Sequence, residues 1–340
     1  MYASEIHPLF ITPEELDEYL NMGFYRLGQK VFTTTFISFN HTIYDTIWLR
    51  INLLQYEPHR TQLAAVKKCA NFKVVIEPFA LSEEKEVLYK RYILSRPFTG
   101  ARSINSLLFD QFGYSALFNS MQLMVYDGER LIGCGVFDLG RTSAEGIISF
   151  YDPLYQKYGL GNFIIYNKMV FCKEQKISHF YPGYFVPGYA AFDYKLSLAK
   201  SGLQYFEPRT LVWYDHIQFD KNKTERADIL AKLAIIQEGI SGELPKPLVY
   251  TYLHFYWSVI PHIPPFLQEP FFLFVRSRIR PRGIEAIVYS SREDRYRIVL
   301  LISKPAFQYS FGELLYEQKT IYTSSNPVEI IRYYESKVER

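Results

Sequence analysis

The residues Gln156-Lys157-Tyr158-Gly159-Leu160-Gly161 form a Q-x-x-G-x-G loop between an apolar run, Gly146 to Tyr151, and a run of helical spacing, Gly161 to Lys176. A turn that enters a helix leaves its first backbone N–H groups without intrahelical partners, and glycine lets a phosphate approach those donors closely. Gln156, Gly159, Leu160 and Gly161 are therefore candidates for holding an acyl donor by a phosphate-bearing handle. Tight strand-to-helix packing also accounts for glycines at such a turn. Other reactive patterns are missing from the sequence. Cys69, Cys134 and Cys172 lie far apart, with no C-x-x-C pair and no His at ligand spacing, so neither a disulfide frame nor a metal site is expected. There is no G-x-S-x-G elbow, and His179 has no obvious Ser, Cys or Asp partner in a catalytic pattern, so it reads as structural or surface.

The elements that must carry the loop follow from periodicity. Thr12-Pro13-Glu14-Glu15 has the form of a capping box with proline at the first helical position, and Gly23 closes that helix. Val31 to Phe39 and Ile43 to Leu53 read as a strand pair turning near Asn40 and His41. Ser82 to Tyr92 predicts a helix with Val87, Leu88 and Tyr92 toward the core. Leu123 to Tyr126 and Leu131 to Asp138 make a hairpin about Asp127-Gly128, with Glu129 and Arg130 lengthening the connection. A strand at Gly146 to Tyr151, the glycine loop, the helix and a strand at His179 to Val186 come next. Tyr189 to Leu198 then reads as a helix, and Leu203 to Phe206 with Leu211 to Tyr214 as closing strands.

A length of 340 residues favours two domains, and 48% apolar with 17% aromatic residues is ample for packed, β-rich cores. The net charge of +3 is too small to declare a nucleic-acid binder, so any polyanion contact must come from local clustering. Met1 to Phe10 contains Glu5 and Pro8, and no apolar run reaches the roughly 18 residues of a membrane span; a soluble, cytoplasmic protein is expected.

The order β-β-β-loop-α-β with Q-x-x-G-x-G before the helix resembles the GNAT acyltransferase fold. That implies an α/β (α+β) domain with a mixed sheet that splays open where the donor enters. The surrounding residues resemble one branch, the arginyl-tRNA–protein transferases and their leucyl-transferring relatives. Gly23-Phe24-Tyr25-Arg26-Leu27-Gly28 is similar to the family's early G-W-R-x-x-G-like segment, and Leu88-Tyr89-Lys90-Arg91-Tyr92 to its L-Y-x-x-Y helix. Phe150-Tyr151-Asp152-Pro153 matches F-Y-D-P. Phe180-Tyr181-Pro182-Gly183-Tyr184-Phe185 through Tyr194-Lys195 resembles Y-Y-x-G-Y-x-I and the downstream Y-K. The likeness spans roughly residues 15–215. The family's N-terminal cysteine cluster has no counterpart before Cys69, and Gly159 stands where the family tends to have serine, which brings the loop closer to that of acetyl-CoA users.

The resemblance implies transfer of an amino acid from aminoacyl-tRNA to an N-terminal amine, with aminoacyl-tRNA and an acceptor protein as partners and no cofactor required. Asp152 is then a candidate for acceptor recognition or proton acceptance; Asp152-Pro153 also fits a plain turn. Tyr181 and Tyr184 are candidates to donate to an oxyanion or leaving oxygen, with satisfied core tyrosines as the other reading. Tyr194 and Lys195 would meet the ribose or terminal phosphate of the donor, although an exposed helical lysine is equally simple. The competing functions are an acetyl-CoA-dependent N-acyltransferase and a non-catalytic RNA- or protein-binding relative.

Beyond Asp215 the likeness ends. Thr224 to Glu238 reads as a helix, Gly239 to Pro247 as a linker, Val249 to Ile260, Phe271 to Ile279, Ile284 to Tyr289 and Tyr296 to Ile302 as strands, and Asn326-Pro327 as a helix start. The organisation expected is an N-terminal region at 1–80, a catalytic domain at 81–215 and an α+β appendage at 216–340. Arg276, Arg278 and Arg280 at period two place guanidinium groups on one strand face, a candidate RNA contact; a solvated edge strand is the alternative.

Overall fold

The computed structural model describes residues 2–96, 101–109, 117–256, 266–275, 283–303 and 315–338. The chain divides into two compact units, one of Glu5–Thr33 and Ile47–Phe219, the other of Met1–Ser4, Thr34–Thr46 and Asp220–Arg340.

The first unit is built on an eight-stranded sheet. Its strands are β1 (Ile47–Asn52), β2 (Lys73–Pro78), β3 (Ser120–Asp127), β4 (Arg130–Leu139), β5 (Ser143–Tyr151), β6 (His179–Phe185), β7 (Leu203–Glu207) and β8 (Val212–Asp215). They lie in the order β8-β7-β1-β6-β5-β4-β3-β2. Every neighbouring pair is antiparallel except β5 and β6, which are parallel and joined through helix α5 (Leu160–Glu174). This is the GNAT-like mixed sheet with flanking helices that the element order implies.

Alternation along the strands divides the core into two faces. Leu123, Val125, Phe137, Ala144 and Phe180 pack with Leu160, Ile164, Met169 and Cys172 of α5 and with Ala65 of α2 (Arg60–Lys68). On the other face Met124, Cys134, Val136 and Phe150 meet Leu88 and Tyr89 of α3 (Glu83–Leu94) and Leu108 of α4 (Ile104–Phe109). Farther along the same sheet Trp48, Tyr181 and Phe206 pack with Leu16 and Leu20 of α1 (Pro13–Asn21) and with Tyr25. Burial of each such side chain removes apolar surface worth about 1.5–3 kcal/mol.

Thr12 caps α1 as its box predicts: Glu15 N donates to Thr12 Oγ1 at 3.2 Å and Thr12 N donates to Glu15 Oε2 at 2.8 Å. The hairpin of β3 and β4 closes on the Asp127–Arg130 pair, so the connection is Gly128-Glu129 and Arg130 is already strand. In α3 the buried line is Lys85, Leu88 and Tyr89, while Val87 turns outward, which rotates the expected apolar face by one position. The segment Tyr189–Leu198 forms a 3-10 turn at Ala190–Ser197 where an α-helix was expected.

The long strand pair expected over 31–53 is broken in two. Lys30–Thr34 pairs with Tyr25–Leu27, whereas Phe36–Phe39 pairs with Thr42–Asp45 through Asn40 and His41 in the left-handed region (φ 47° and 61°). Hydrogen bonds between the two breaks fix them: Thr46 N donates to Thr35 O at 2.9 Å, and Thr46 Oγ1 donates to Thr34 O.

The second unit holds a five-stranded antiparallel sheet of Val249–Thr251, Phe271–Phe274, Ile284–Ser290, Arg295–Ser303 and Tyr316–Ser324. Helices Glu225–Gly239 and Pro327–Val338 complete it, with Ile229, Leu233, Ile236, Ile330 and Tyr334 buried in its core. Thr224 caps the first of them, accepting from Ala227 N at 3.3 Å. Strand Tyr316–Ser324 was not foreseen, because the unbroken exposed run Lys319 to Thr323 hides the alternation. The expected strand Val249–Ile260 stops at Thr251. Arg276, Arg278 and Arg280, the candidate RNA contact, lie outside the described residues.

Candidate active site

The parallel pairing of β5 and β6 lasts only from Ser143↔His179 to Glu145↔Tyr181. Beyond it β5 continues to Tyr151 against β4 alone, and β6 continues to Phe185 against β1 alone. Each strand carries an irregularity just past the divergence, between Gly146 and Ile148 on β5 and between Phe180 and Gly183 on β6. The sheet therefore opens at its centre. Glu145, at the fork, is buried and accepts Arg26 N at 3.0 Å, and Arg26 Nη1 pairs with the buried Asp138 at 3.0 Å. Burial, then the neighbouring Asp138, pushes the Glu145 carboxyl well above its ordinary range.

Lysine 168 of α5 reaches the β5 irregularity from the opposite face. Its ammonium donates to Val136 O at 2.9 Å, Ile148 O at 2.7 Å and Ser149 Oγ at 3.2 Å, tying β4 and β5 together where the ladder slips. A residue other than glycine at 135 would bring its Cβ to 2.4 Å from Lys168 Cε. Burial lowers the Lys168 pKa to about 7.

At the open end, α5 begins directly from the glycine loop. Gly159 takes the left-handed conformation (φ 73°, ψ 35°), ends the 3-10 turn Pro153–Tyr158 and starts α5 without a side-chain cap. The expected motif residues Gln156, Gly159, Leu160 and Gly161 are thus together at a helix N-terminus, though Leu160 itself points into the core. A Cβ on Gly161 would lie 3.4 Å from the ring of Tyr151, the last residue of β5.

Asp152 begins that 3-10 turn. Its carboxylate accepts Leu154 N at 3.0 Å and pairs with Arg130 at 2.5 Å and Arg91 at 3.6 Å, and it is only 2% exposed. It is an anchor for the loop, as the turn reading had it. Tyr181 is also enclosed: 1% exposed, it packs edge-on to Tyr25 and Trp213 in the core. Tyr184 is half-buried between Trp48 and a stacked Phe192.

Lys195 is far from the exposed lysine that a 3-10 or helical turn suggests. Its Nζ donates to Tyr184 O at 2.8 Å and lies 5.3 Å and 5.4 Å from the ring centroids of Tyr184 and Phe192. No carboxylate pairs with it among the described residues, and burial alone lowers its pKa to about 7. Gly183 (φ 81°) stands beside it, and a Cβ there would come within 3.1 Å of the amine. The preceding residue, Tyr194, is half exposed; partial burial and the neighbouring Tyr92 raise its phenol.

Opposite, Arg96 follows α3. Its guanidinium lies 4.6 Å from the Tyr92 ring and 5.5 Å from the Tyr151 ring, and Nη2 donates to Tyr151 OH at 2.8 Å. Tyr151, Tyr92 and Arg96 thus cluster at the end of β5, and Gly183, Tyr184 and Lys195 cluster on the outer part of β6. Arg96 and Lys168 were not singled out from the sequence. For Lys168 a signal existed: it lies on the i, i+4 line of Leu160, Ile164 and Cys172, a lysine on an apolar stripe.

Residues 84–204 match the family model described as arginine-tRNA-protein transferase, C terminus. An aspartate/glutamate leucyltransferase of Leptospira interrogans is 31% identical over 194 residues, covering 55% of this chain and 73% of that protein. The chain belongs to the aminoacyl-tRNA–protein transferase family. The Vibrio cholerae aspartate/glutamate leucyltransferase is 29% identical over 57% of this chain and 82% of its own length. A solved structure of FemX overlaps 57% of this chain and 68% of that one at 9% identity, with a TM-score of 0.35, too loose to argue from. The protein is accordingly a transferase enzyme. The curated relatives carry the leucyl name and the family model the arginine name, so the resemblance to arginyl transferases holds at the level of the family.

Proposed function

We propose that this transferase moves leucine from leucyl-tRNA to the α-amine of an acceptor protein that begins with Asp or Glu, at the open end of β5 and β6. The observation that supports this most is the Lys195 amine, buried against Tyr184 of β6 with no carboxylate beside it among the described residues.

The aminoacyl ester is already activated, so the protein must align the reactants, accept a proton and support developing negative charge. The acceptor nitrogen attacks the ester carbonyl, an N–C bond forms, and the C–O bond to the ribose breaks. Lys195, neutral at the start, takes the proton from the attacking amine and returns it to the departing ribose oxygen. A base with a pKa near the working pH is best suited to this exchange. The uncapped start of α5, with Gly159 and Gly161, faces the phosphate-bearing end of the donor. Asp152 holds that loop against Arg91 and Arg130, and Tyr184 positions Lys195 through its carbonyl. Tyr181 has a packing role.

A second reading is an acetyl-CoA-dependent N-acyltransferase, favoured by the glycine at 159 and the uncapped helix start. Mass spectrometry of Asp-, Glu- and Arg-initiated peptides incubated with leucyl-tRNA, arginyl-tRNA or acetyl-CoA separates the readings. A leucine added to Asp and Glu peptides is the expected product. Acetylation of those peptides, with no transfer from either tRNA, would establish the second reading instead.

A further inference from the structure

We infer that Arg96, held against Tyr92 and Tyr151, binds the side-chain carboxylate of the acceptor's first residue and so selects acidic N-termini. This rests on the transfer reaction proposed above and assigns its acceptor specificity to one side chain.

The arginines around the opening are not equivalent. Arg130 pairs with Asp152 at 2.5 Å and Arg91 stands 3.6 Å from the same carboxylate, so both are directed at an internal anion. Arg96 meets no carboxylate among the described residues. Its partners are the Tyr151 hydroxyl at 2.8 Å and the flanking faces of Tyr92 and Tyr151, and its Nε is buried without an acceptor. A guanidinium is a planar fork that matches a carboxylate with two parallel hydrogen bonds, and stacking on rings holds that fork still before the ligand arrives.

Position favours the acceptor over the donor. Tyr194 lies close enough to Tyr92 and Arg96 for their charges to shift its phenol, and it is the residue next to Lys195. Arg96 meets the end of β5 through Tyr151 and Lys195 meets β6 through Tyr184, the two strands that part at the opening, so a ligand bridging them carries an amine at one end and an anion at the other. An N-terminal Asp or Glu has that arrangement. A phosphate site would gather several cations around one point, whereas Arg130 and Arg91 are turned toward Asp152 and Arg96 toward Tyr151.

The test compares the full-length protein with Arg96→Gln and Arg96→Lys, using leucyl-tRNA and peptides that begin with Asp, Glu, Asn or Gln and are otherwise identical. A charged hydrogen-bonded pair predicts that Arg96→Gln lowers kcat/KM for the Asp and Glu peptides by about 10- to 100-fold, mainly through KM. The preference for Asp over Asn should collapse, the KM for leucyl-tRNA should stay as it was, and Arg96→Lys should recover part of the loss. Equal losses on all peptides would overturn the inference in favour of a packing role. A raised KM for leucyl-tRNA alone would overturn it in favour of a donor phosphate contact. Calorimetric binding of the Asp and Asn peptides without tRNA gives a reading that does not depend on turnover. Should the wild type transfer no leucine, yet bind the Asp peptide more tightly and lose that margin in Arg96→Gln, the transfer reading fails and the carboxylate site stands.

Discussion

Replacing Lys195 by Met removes the amine from a pocket made of Tyr184, Phe192 and the Tyr184 carbonyl, and leaves the apolar stem in place. The depression of the amine from 10.5 to about 7 corresponds to about 5 kcal/mol of lost preference for the charged form. The two rings favour the ammonium by about 0.5–2 kcal/mol each, less than that loss, so the direction stands. The amine is held below its ordinary value, and kcat at saturating peptide and leucyl-tRNA should rise with pH through an apparent pKa short of the usual 10.5. Loss of a general base predicts a fall in kcat of about 10²–10⁴-fold in Lys195→Met, with that limb gone. Arg at this position is permanently charged and should not restore the rate, whereas added small primary amines should partly rescue Lys195→Ala. A Lys195→Met protein that keeps the wild-type kcat and the same limb would refute the argument and leave the amine a packing group.

The other predictions concern the frame. Gly183→Ala introduces a Cβ at φ 81° within 3.1 Å of Lys195 Nζ, so kcat should drop at least tenfold while circular dichroism and leucyl-tRNA binding stay near wild type. Asp138→Asn removes the charge facing the buried Arg26, and breaking one side of such a pair costs about 3–5 kcal/mol, visible in urea unfolding. Lys168 carries a lowered folded-state pKa, so between about 7 and 10.5 the unfolded chain holds a proton that the folded one has released. Stability should therefore rise with pH across that window by up to about 1.4 kcal/mol per unit from this group, and Lys168→Met should lose that component of the slope. An unchanged slope would show that the three acceptors keep the ammonium charged.

Much of the site's frame was legible. The glycine loop, the strand before it and the helix after it stand where periodicity puts them, because Phe163, Ile164 and Cys172 all face one packed sheet. The break at Thr34–Thr46 was not legible, since the residues on either side have the same β-branched and aromatic character and only hydrogen bonds from Thr46 mark the change of partner. Side-chain roles were harder still. Asp152 is read equally as a reactive carboxylate or a turn residue, and the arginines that occupy it come from positions 91 and 130, which no local pattern links to it. Lys195 looks like any lysine in a short helix until Phe192 and Tyr184 are seen to close over it. Arg96 sits at the end of a charged helix, and its stacking on Tyr151 arises only because β5 runs on past β6.

The most direct test is hydrogen exchange of the full-length protein with and without an amide-linked leucyl-adenosine analogue, which keeps the donor's reacting end without its reactivity. Protection should concentrate on Tyr151 to Gly161 and on Gly183 to Lys195, the two sides of the opening and the turn between them. Protection confined to the outer recess lined by Tyr56, Pro58, Tyr166 and Val170, with both of those segments unchanged, would contradict the assignment of the transfer site to the splayed strands.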